Sequence, residues 1–128
     1  MKLSAKFLKN VENVNSFQYV PQWDISEGSA QSLYFQIIDK QKEDIRYMPQ
    51  DAPITVKVFF LSIDDDQIIE KTATQPFTDD KSIWKIDLLV TDVPNSGAVK
   101  FSVDENGTTV TFKVSQAIVV DLLDNGGC

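Results

Sequence analysis

The sequence predicts an all-β fold: an antiparallel immunoglobulin-like β-sandwich of about seven strands, preceded by an extended N-terminal arm. Three observations indicate this fold. Apolar and polar residues alternate in short runs, turn residues separate these runs about every 8–12 residues, and no segment has a sustained helical period. A small jelly roll or an open barrel is the competing architecture.

The chain of 128 residues is long enough to form one domain with its own core. We expect three parts: the arm over residues 1–30, the sandwich over residues 31–123 and a flexible tail over residues 124–128. We expect no membrane span, because no apolar run is long enough, and no signal peptide, because residues 1–10 lack the apolar stretch that one requires.

The arm is the least regular part of the sequence. Its beginning fits helical and strand spacing equally well, and Pro21 interrupts an alternating run that resumes at Trp23. A proline there suits an edge strand or an extended segment rather than a central strand. Aromatic residues are too frequent for a disordered leader, so the arm should pack on this domain or on a neighbouring subunit. The candidate partner-binding residues are Phe17, Tyr19, Trp23 and Ile25.

Seven strands are expected in the sandwich. They cover residues 33–39, 45–48, 54–63, 67–74, 83–90, 98–105 and 108–123. In the strand at 54–63, Phe59 and Leu61 oppose an apolar face, so its second half should be covered on both sides. In the strand at 83–90, Trp84 and Val90 begin and end an alternating apolar face that should belong to the core.

The last two strands form the clearest hairpin. Asn106 and Gly107 form its turn, because a type I′ turn needs positive φ at both central residues. The predicted cross-strand pairs are Val99 with Val114, Lys100 with Lys113, Phe101 with Phe112, Ser102 with Thr111, Val103 with Val110 and Asp104 with Thr109. The two lysines form a like-charge pair that must splay or find acids nearby. We expect a bulge or kink at Ser115 and Gln116.

Composition argues against several classes of function. The net charge of -7 disfavours binding to nucleic acids and to anionic membranes. The chain has no histidine, which excludes a Ser-His-Asp triad and removes the commonest metal ligand. We therefore expect no catalytic residue, no metal site and no cofactor. Cys128 is the sole cysteine, so its thiol is either idle or a candidate for a cross-link between subunits.

Two acidic turns, at residues 64–66 and 79–80, raise the question of calcium binding. Neither has the spacing of an EF-hand loop, and alternating antiparallel strands would place the two turns at opposite ends of the sandwich. We therefore interpret both as solvated turns. Glycoside hydrolysis would need two acids set in a cleft, whereas these carboxyl groups should lie in hydrated turns.

Three segments carry a resemblance to a known family. They are LYFQIID at residues 33–39, RYMP at residues 46–49 and KTATQPFTDDKSIWK at residues 71–85. This pattern resembles that of small virion structural proteins of tailed bacteriophages with an Ig-like β-sandwich, over about residues 31–120. The shared motifs are structural rather than chemical.

The resemblance implies a non-enzymatic virion component: a head decoration protein, a neck or collar fitting, or a tail or baseplate protein. Such a protein is made in the host cytoplasm and is located in the virion. It would assemble with other virion proteins, as a homo-oligomer or in many copies, without nucleic acid or membrane. The alternative is a carbohydrate-binding or adhesive module on a tail fibre or cell surface, with Trp23 and Tyr47 as possible contacts.

Overall fold

A computed structural model describes residues 3–13, 15–40, 45–46, 54–77, 82–105 and 107–121. The extended elements among these residues are ten β-strands. They are β1 (Leu3–Asn13), β2 (Ser16–Val20), β3 (Trp23–Ser26), β4 (Gln31–Asp39), β5 (Ile45–Arg46), β6 (Ile54–Leu61), β7 (Gln67–Thr72), β8 (Ile83–Leu88), β9 (Gly97–Glu105) and β10 (Thr108–Asp121). The fold is therefore all-β, as the sequence predicts.

The strands form two five-stranded sheets. In the first sheet the order is β2-β1-β4, and β5 and β8 pair with successive parts of the far edge of β4. In the second sheet the order is β3-β10-β9-β6-β7. Neighbouring strands are antiparallel except β3 and β10, which are parallel.

One edge joins the two sheets through backbone hydrogen bonds. After β7 the chain leaves the second sheet, where the Ala73 N–H donates to the Val56 carbonyl at 2.8 Å. Thr74 then forms an antiparallel bridge with Lys85 of β8 in the first sheet, with N–H to carbonyl distances of 2.8 and 2.9 Å. The two sheets consequently curl towards each other at this edge.

The core fills the space between the sheets. It combines apolar residues from alternate positions of the strands of both sheets, which is the pattern expected when one face of each strand is buried. Phe35 and Phe101, with ring centroids 5.1 Å apart, lie at its centre. On β6 the opposite face is covered as well, since Phe59 and Leu61 are also buried. This confirms that the second half of β6 is covered on both sides.

The predicted register of the last hairpin is confirmed. Each of the six expected pairs is present, from Val99 with Val114 to Asp104 with Thr109. Gly107 has a φ of 89°, a left-handed conformation that suits glycine, and Asn106 lies outside the described residues. The expected irregularity is present too, since the register shifts between Val114 and Ile118 and Gln116 has a φ of 54°.

The registers also define the two ends of the molecule. Ile54 pairs with Glu105 beside the hairpin turn, whereas Phe60 pairs with Val99 at the opposite end. We call the end with Gly107 the lower end. The upper end holds residues 62–66 and 89–96, which connect strands there.

Residues 1–30 are expected to form an extended arm that packs on this domain or on a neighbouring subunit. Their described part packs on this domain, but as strands of both sheets and not as an arm. β1 pairs with β4 over six residue pairs from Leu3 to Leu8, and β3 pairs with β10. Ten strands are observed where seven are expected, and the three additional ones are the N-terminal strands β1, β2 and β3. Apolar residues alternate in them, and pairing with both sheets buries Leu3 and Phe7 in the core.

Candidate functional site

The candidate site is built on β2, the edge strand of the first sheet. A hairpin joins β2 to β1, and the Asn13 side chain supports it by accepting a hydrogen bond from the Asn15 N–H at 2.8 Å. Alternation along β2 places Val20 opposite Phe7 and Tyr19 opposite Leu8. Because Val20 packs against the core, Tyr19 faces outward from the first sheet.

Tyr19 is 56% exposed and is nevertheless held by three contacts. Its hydroxyl donates a hydrogen bond to Oε1 of Gln36 at 2.9 Å. The ammonium of Lys6 lies 5.3 Å from the ring centroid, within the range of a cation–π contact. The ring of Phe17 meets it edge to face, with centroids 5.3 Å apart. The ring is therefore fixed in one orientation while its surface stays accessible.

The Gln36 side chain lies beneath this surface, and only part of its hydrogen-bonding capacity is used within the described residues. The residue is fully buried, and its Nε2 has no hydrogen-bond partner among the described residues. Within that part of the chain, Tyr19 supplies the one hydrogen bond to the Gln36 side-chain amide. Because an unpaired buried amide is costly, this bond ties the orientation of Tyr19 to the stability of the first sheet.

A pocket of about 420 Å³ lies beside Tyr19 where the two sheets meet. It is lined by Ala5, Lys6, Phe7, Tyr19, Val20, Pro21 and Val114. A second pocket, of about 390 Å³, continues along β1 and β10 towards the lower end. Together they form a seam along β1 and β10 that runs from Val114 towards the lower end. No Asp or Glu is among the residues that line either pocket.

The seam is open because its two strands lack partners on that side within the described part of the chain. β2 pairs with β1 only from Phe7 onwards, and β3 pairs with β10 only from Ile118 onwards. The backbone edges of residues 3–6 and 108–114 therefore face the seam. Free strand edges of this kind are the parts of a sheet that other chains most readily contact.

The structure separates the four predicted partner-binding residues into two pairs. Phe17 and Tyr19 lie together on the candidate surface. Trp23 and Ile25 are only 2% and 1% exposed, so their predicted role in binding a partner is wrong. The Trp23 Nε1–H donates to the Tyr34 carbonyl at 2.8 Å, and its ring packs edge to face on Phe7 and Phe35. Both residues belong to the core because alternation on β3 turns them inward.

Other predicted residues lie elsewhere. Cys128 and the acidic pair at 79–80 fall outside the described residues. The turn at 62–66 is organised by Ser62, whose Oγ accepts hydrogen bonds from the N–H groups of Asp64 and Asp66. Asp65 pairs instead with Lys113. Among the residues that the structure describes, no group of three or more His, Cys, Asp or Glu is placed to hold a metal ion.

Sequence reasoning missed an exposed apolar turn at the upper end. The strand expected to reach Val90 ends at Leu88, and the following Leu89, Val90 and Val93 are exposed. Asp92 ends the strand because its Oδ2 accepts a hydrogen bond from the Leu89 N–H at 2.7 Å. The signal in the sequence is Asp92, which lies two residues after Val90 and two residues before Pro94.

Asp92 also connects this turn to the second sheet. Its Oδ2 lies 2.7 Å from Nζ of Lys71 on β7. The hydrogen bond from Lys71 has the largest effect and lowers the pKa of Asp92 from its ordinary value. Burial opposes this effect, and the hydrogen bond from the Leu89 N–H adds a smaller lowering. The carboxylate form therefore holds the turn in place.

Neither protein-family models nor curated protein sequences yield a match to this chain. The resemblance to virion proteins accordingly stays a prediction. Within the described residues, no helix has the length and apolar character needed to cross a membrane.

Proposed function

We propose that this chain is a non-enzymatic structural protein of a tailed-bacteriophage virion that assembles through contacts between subunits. Its place would be the head surface, the neck or collar, or the tail or baseplate. Two lines support the proposal: the resemblance of residues 33–39, 46–49 and 71–85, and the surface around Tyr19. The fixed and exposed ring of Tyr19 is the structural observation that carries it.

An aromatic side chain of this kind is suited to binding another protein. Binding energy at protein interfaces concentrates in a few aromatic anchors. An anchor that is already ordered loses little conformational entropy on binding, and Tyr19 is ordered by Gln36, Lys6 and Phe17. The apolar pocket beside it offers a complementary cavity for a side chain of the partner.

The proposal includes an immunoglobulin-like topology. The order β10-β9-β6-β7 matches the G-F-C-C′ order of immunoglobulin sheets, and β1-β4-β8 matches A-B-E. The parallel pairing of β3 with β10 and the β1–β2 hairpin would then be additions to that plan. Such modules recur in proteins of unrelated function, so the topology supports a stable building block rather than a particular chemistry.

A carbohydrate-binding or adhesive module is the second candidate function. The exposed ring of Tyr19 favours it, because aromatic rings also stack on sugars. Trp23 offers no such platform, since its ring is buried among Phe7, Phe35 and Phe101. Binding of the wild-type protein to a glycan array, lost in Tyr19→Ala, would favour this function over the first.

The test of the virion proposal is quantitative mass spectrometry of virions that carry the gene. We expect the chain to be present at a fixed copy number and Tyr19→Ala to lower that number at least tenfold. Val119→Ala, at an exposed position on β10 of the other sheet, is the control and should leave the copy number unchanged. Absence of the chain from washed virions would contradict the proposal.

A further inference from the structure

We propose that copies of this chain associate head to tail, with the exposed turn at residues 89–93 of one copy seated in the seam between β1 and β10 of the next. This inference rests on the proposed function and specifies how its subunit contacts form. It commits to a second copy as the occupant of the seam. The two surfaces differ, so the contact is heterologous and can extend into a ring or a row of copies.

The turn presents apolar side chains on a rigid support. Leu89, Val90 and Val93 are 58%, 57% and 57% exposed. Asp92 closes the turn in both directions, since it accepts from the Leu89 N–H and its own N–H donates to the Leu89 carbonyl at 3.0 Å. Its pairing with Lys71 ties the turn to β7. Three apolar residues held outward in this way form an exposed apolar surface, a feature typical of sites that bind another protein.

The seam supplies the matching cavity. Its larger pocket, of about 420 Å³, is lined mainly by apolar residues, among them Ala5, Val20 and Val114. Valine and leucine side chains are small enough to enter a cavity of this volume. The surrounding core is already packed, so the pocket has no occupant from its own described chain.

Charge favours contact between these two surfaces of different copies. Each copy carries a net charge of -7, so two copies repel each other over most approaches. The turn shares the upper end with the acidic residues Asp64 and Asp66, while its own Asp92 is offset by Lys71. The seam is lined by Lys6 and Lys40 without any Asp or Glu, and the charge of Lys113, which also lines it, is offset by Asp65. A head-to-tail approach therefore places the acidic side of one copy against the basic side of the next.

The positions of the two surfaces prevent the contact from forming within one copy. The turn follows Leu88 at the upper end, where Leu88 pairs with Gln31. The seam runs from Val114 towards Val110 and the lower end. Each copy therefore offers an unused turn and an unused seam, which is the condition for repeated addition of copies.

Sedimentation velocity of the full chain over a concentration series up to about 500 μM tests the proposal. Wild-type protein should form dimers and larger species as its concentration rises. Val90→Asp should weaken association at least about tenfold, because it places a charge in an apolar contact. Ala5→Trp should do the same by filling the pocket. Val119→Asp, which adds the same charge at another exposed valine, is the matched control.

Mixing the two variants distinguishes this arrangement from a symmetric dimer. Val90→Asp keeps an intact seam and Ala5→Trp keeps an intact turn, so the mixture should form one-to-one heterodimers that grow no further. Pro21→Glu replaces Ala5→Trp if thermal melts show that the tryptophan variant is unfolded. A wild-type chain that stays monomeric, or a mixture that stays monomeric, overturns the inference. Either result leaves the mass-spectrometric test of the proposed function unaffected.

Discussion

Lys100 and Lys113 lie directly opposite each other on β9 and β10, and their ammonium groups have separate partners. Nζ of Lys113 is 3.1 Å from Oδ2 of Asp65. Nζ of Lys100 lies 5.6 Å from the ring centroid of Phe59. A like-charge pair that would oppose the register is thus accommodated by an acidic turn and by an aromatic ring on β6.

Asp65→Asn tests how much the ion pair between Asp65 and Lys113 contributes to the free energy of unfolding. Asparagine tolerates the positive φ of 64° at this position, so the change removes the charge without straining the turn. Because the pair is exposed, we expect the free energy of unfolding to fall by less than about 1 kcal/mol. Denaturant unfolding at low and high salt measures this, and the difference should shrink at high salt. An unchanged difference at high salt would contradict the electrostatic explanation.

Deletion of residues 1–26 should abolish folding. The deletion removes β1, β2 and β3, and with them the core residues Leu3, Phe7, Trp23 and Ile25. Burial of one such residue contributes a few kcal/mol, so their joint loss exceeds the stability of most domains. Circular dichroism and heteronuclear NMR of the truncated chain measure the outcome. A folded truncated protein would show that these strands are dispensable.

Tyr19→Phe should lower the free energy of unfolding by about 1–3 kcal/mol, because it leaves the buried Gln36 amide without a partner. Gln36→Met removes that polar group and should cost little or stabilise the protein. In the double variant, Tyr19→Phe should then have almost no effect. Urea unfolding of the four proteins gives the coupling energy, and additive effects would exclude the proposed bond.

Asp92 should make stability depend on pH. Its pKa is lowered in the folded state, chiefly by the hydrogen bond from Lys71, so folding favours the ionised form. The resulting stabilisation is complete above the ordinary carboxyl value of 3.8 and is lost as the pH falls through the lower folded-state value. Asp92→Asn keeps an acceptor for the Leu89 N–H and lacks this dependence. Unfolding curves of both proteins from pH 7 to pH 2 should converge as the pH falls.

Two residues with positive φ should respond oppositely to substitution. Gly107→Ala forces an alanine to adopt a φ of 89°, and its Cβ would meet no atom within 4 Å, so the cost of about 1 kcal/mol is conformational. Gln116→Gly relieves a φ of 54° and should be neutral or stabilising. Thermal melts of the two variants measure this. A destabilised Gln116→Gly would indicate that the glutamine side chain stabilises the bulge.

The sequence predicts the part of the fold in which local signals and pairing agree. A short turn centred on Gly107 fixes the register of β9 and β10, because a slip by one residue would turn Phe101 and Phe112 to the wrong face. Similarly, the doubly covered strand β6 is apparent from Phe59 and Leu61. In these segments the information needed for pairing lies within a few residues of the turn.

Sequence reasoning fails where pairing partners are distant. β1 is ambiguous because Leu3 and Phe7 fit helical as well as strand spacing, and only its pairing with β4 decides between them. An apolar residue such as Trp23 suits a core and an interface equally well, so its sequence context does not show which it occupies. Its contacts with Phe35 and Phe101, which are distant in sequence, place it in the core. The Tyr19 surface was found in part, since aromatic alternation identifies it, whereas its hydrogen bond to Gln36 depends on tertiary structure.

The parallel pair β3–β10 has a consequence for how the chain acquires its structure. Trp23 pairs with Ile118, and Ser26 pairs with Asp121. The β3 segment is therefore synthesised well before the part of β10 with which it pairs. Contacts so distant in sequence slow folding. The buried indole of Trp23 should therefore reach its native environment late, and its fluorescence would report when the second sheet is completed.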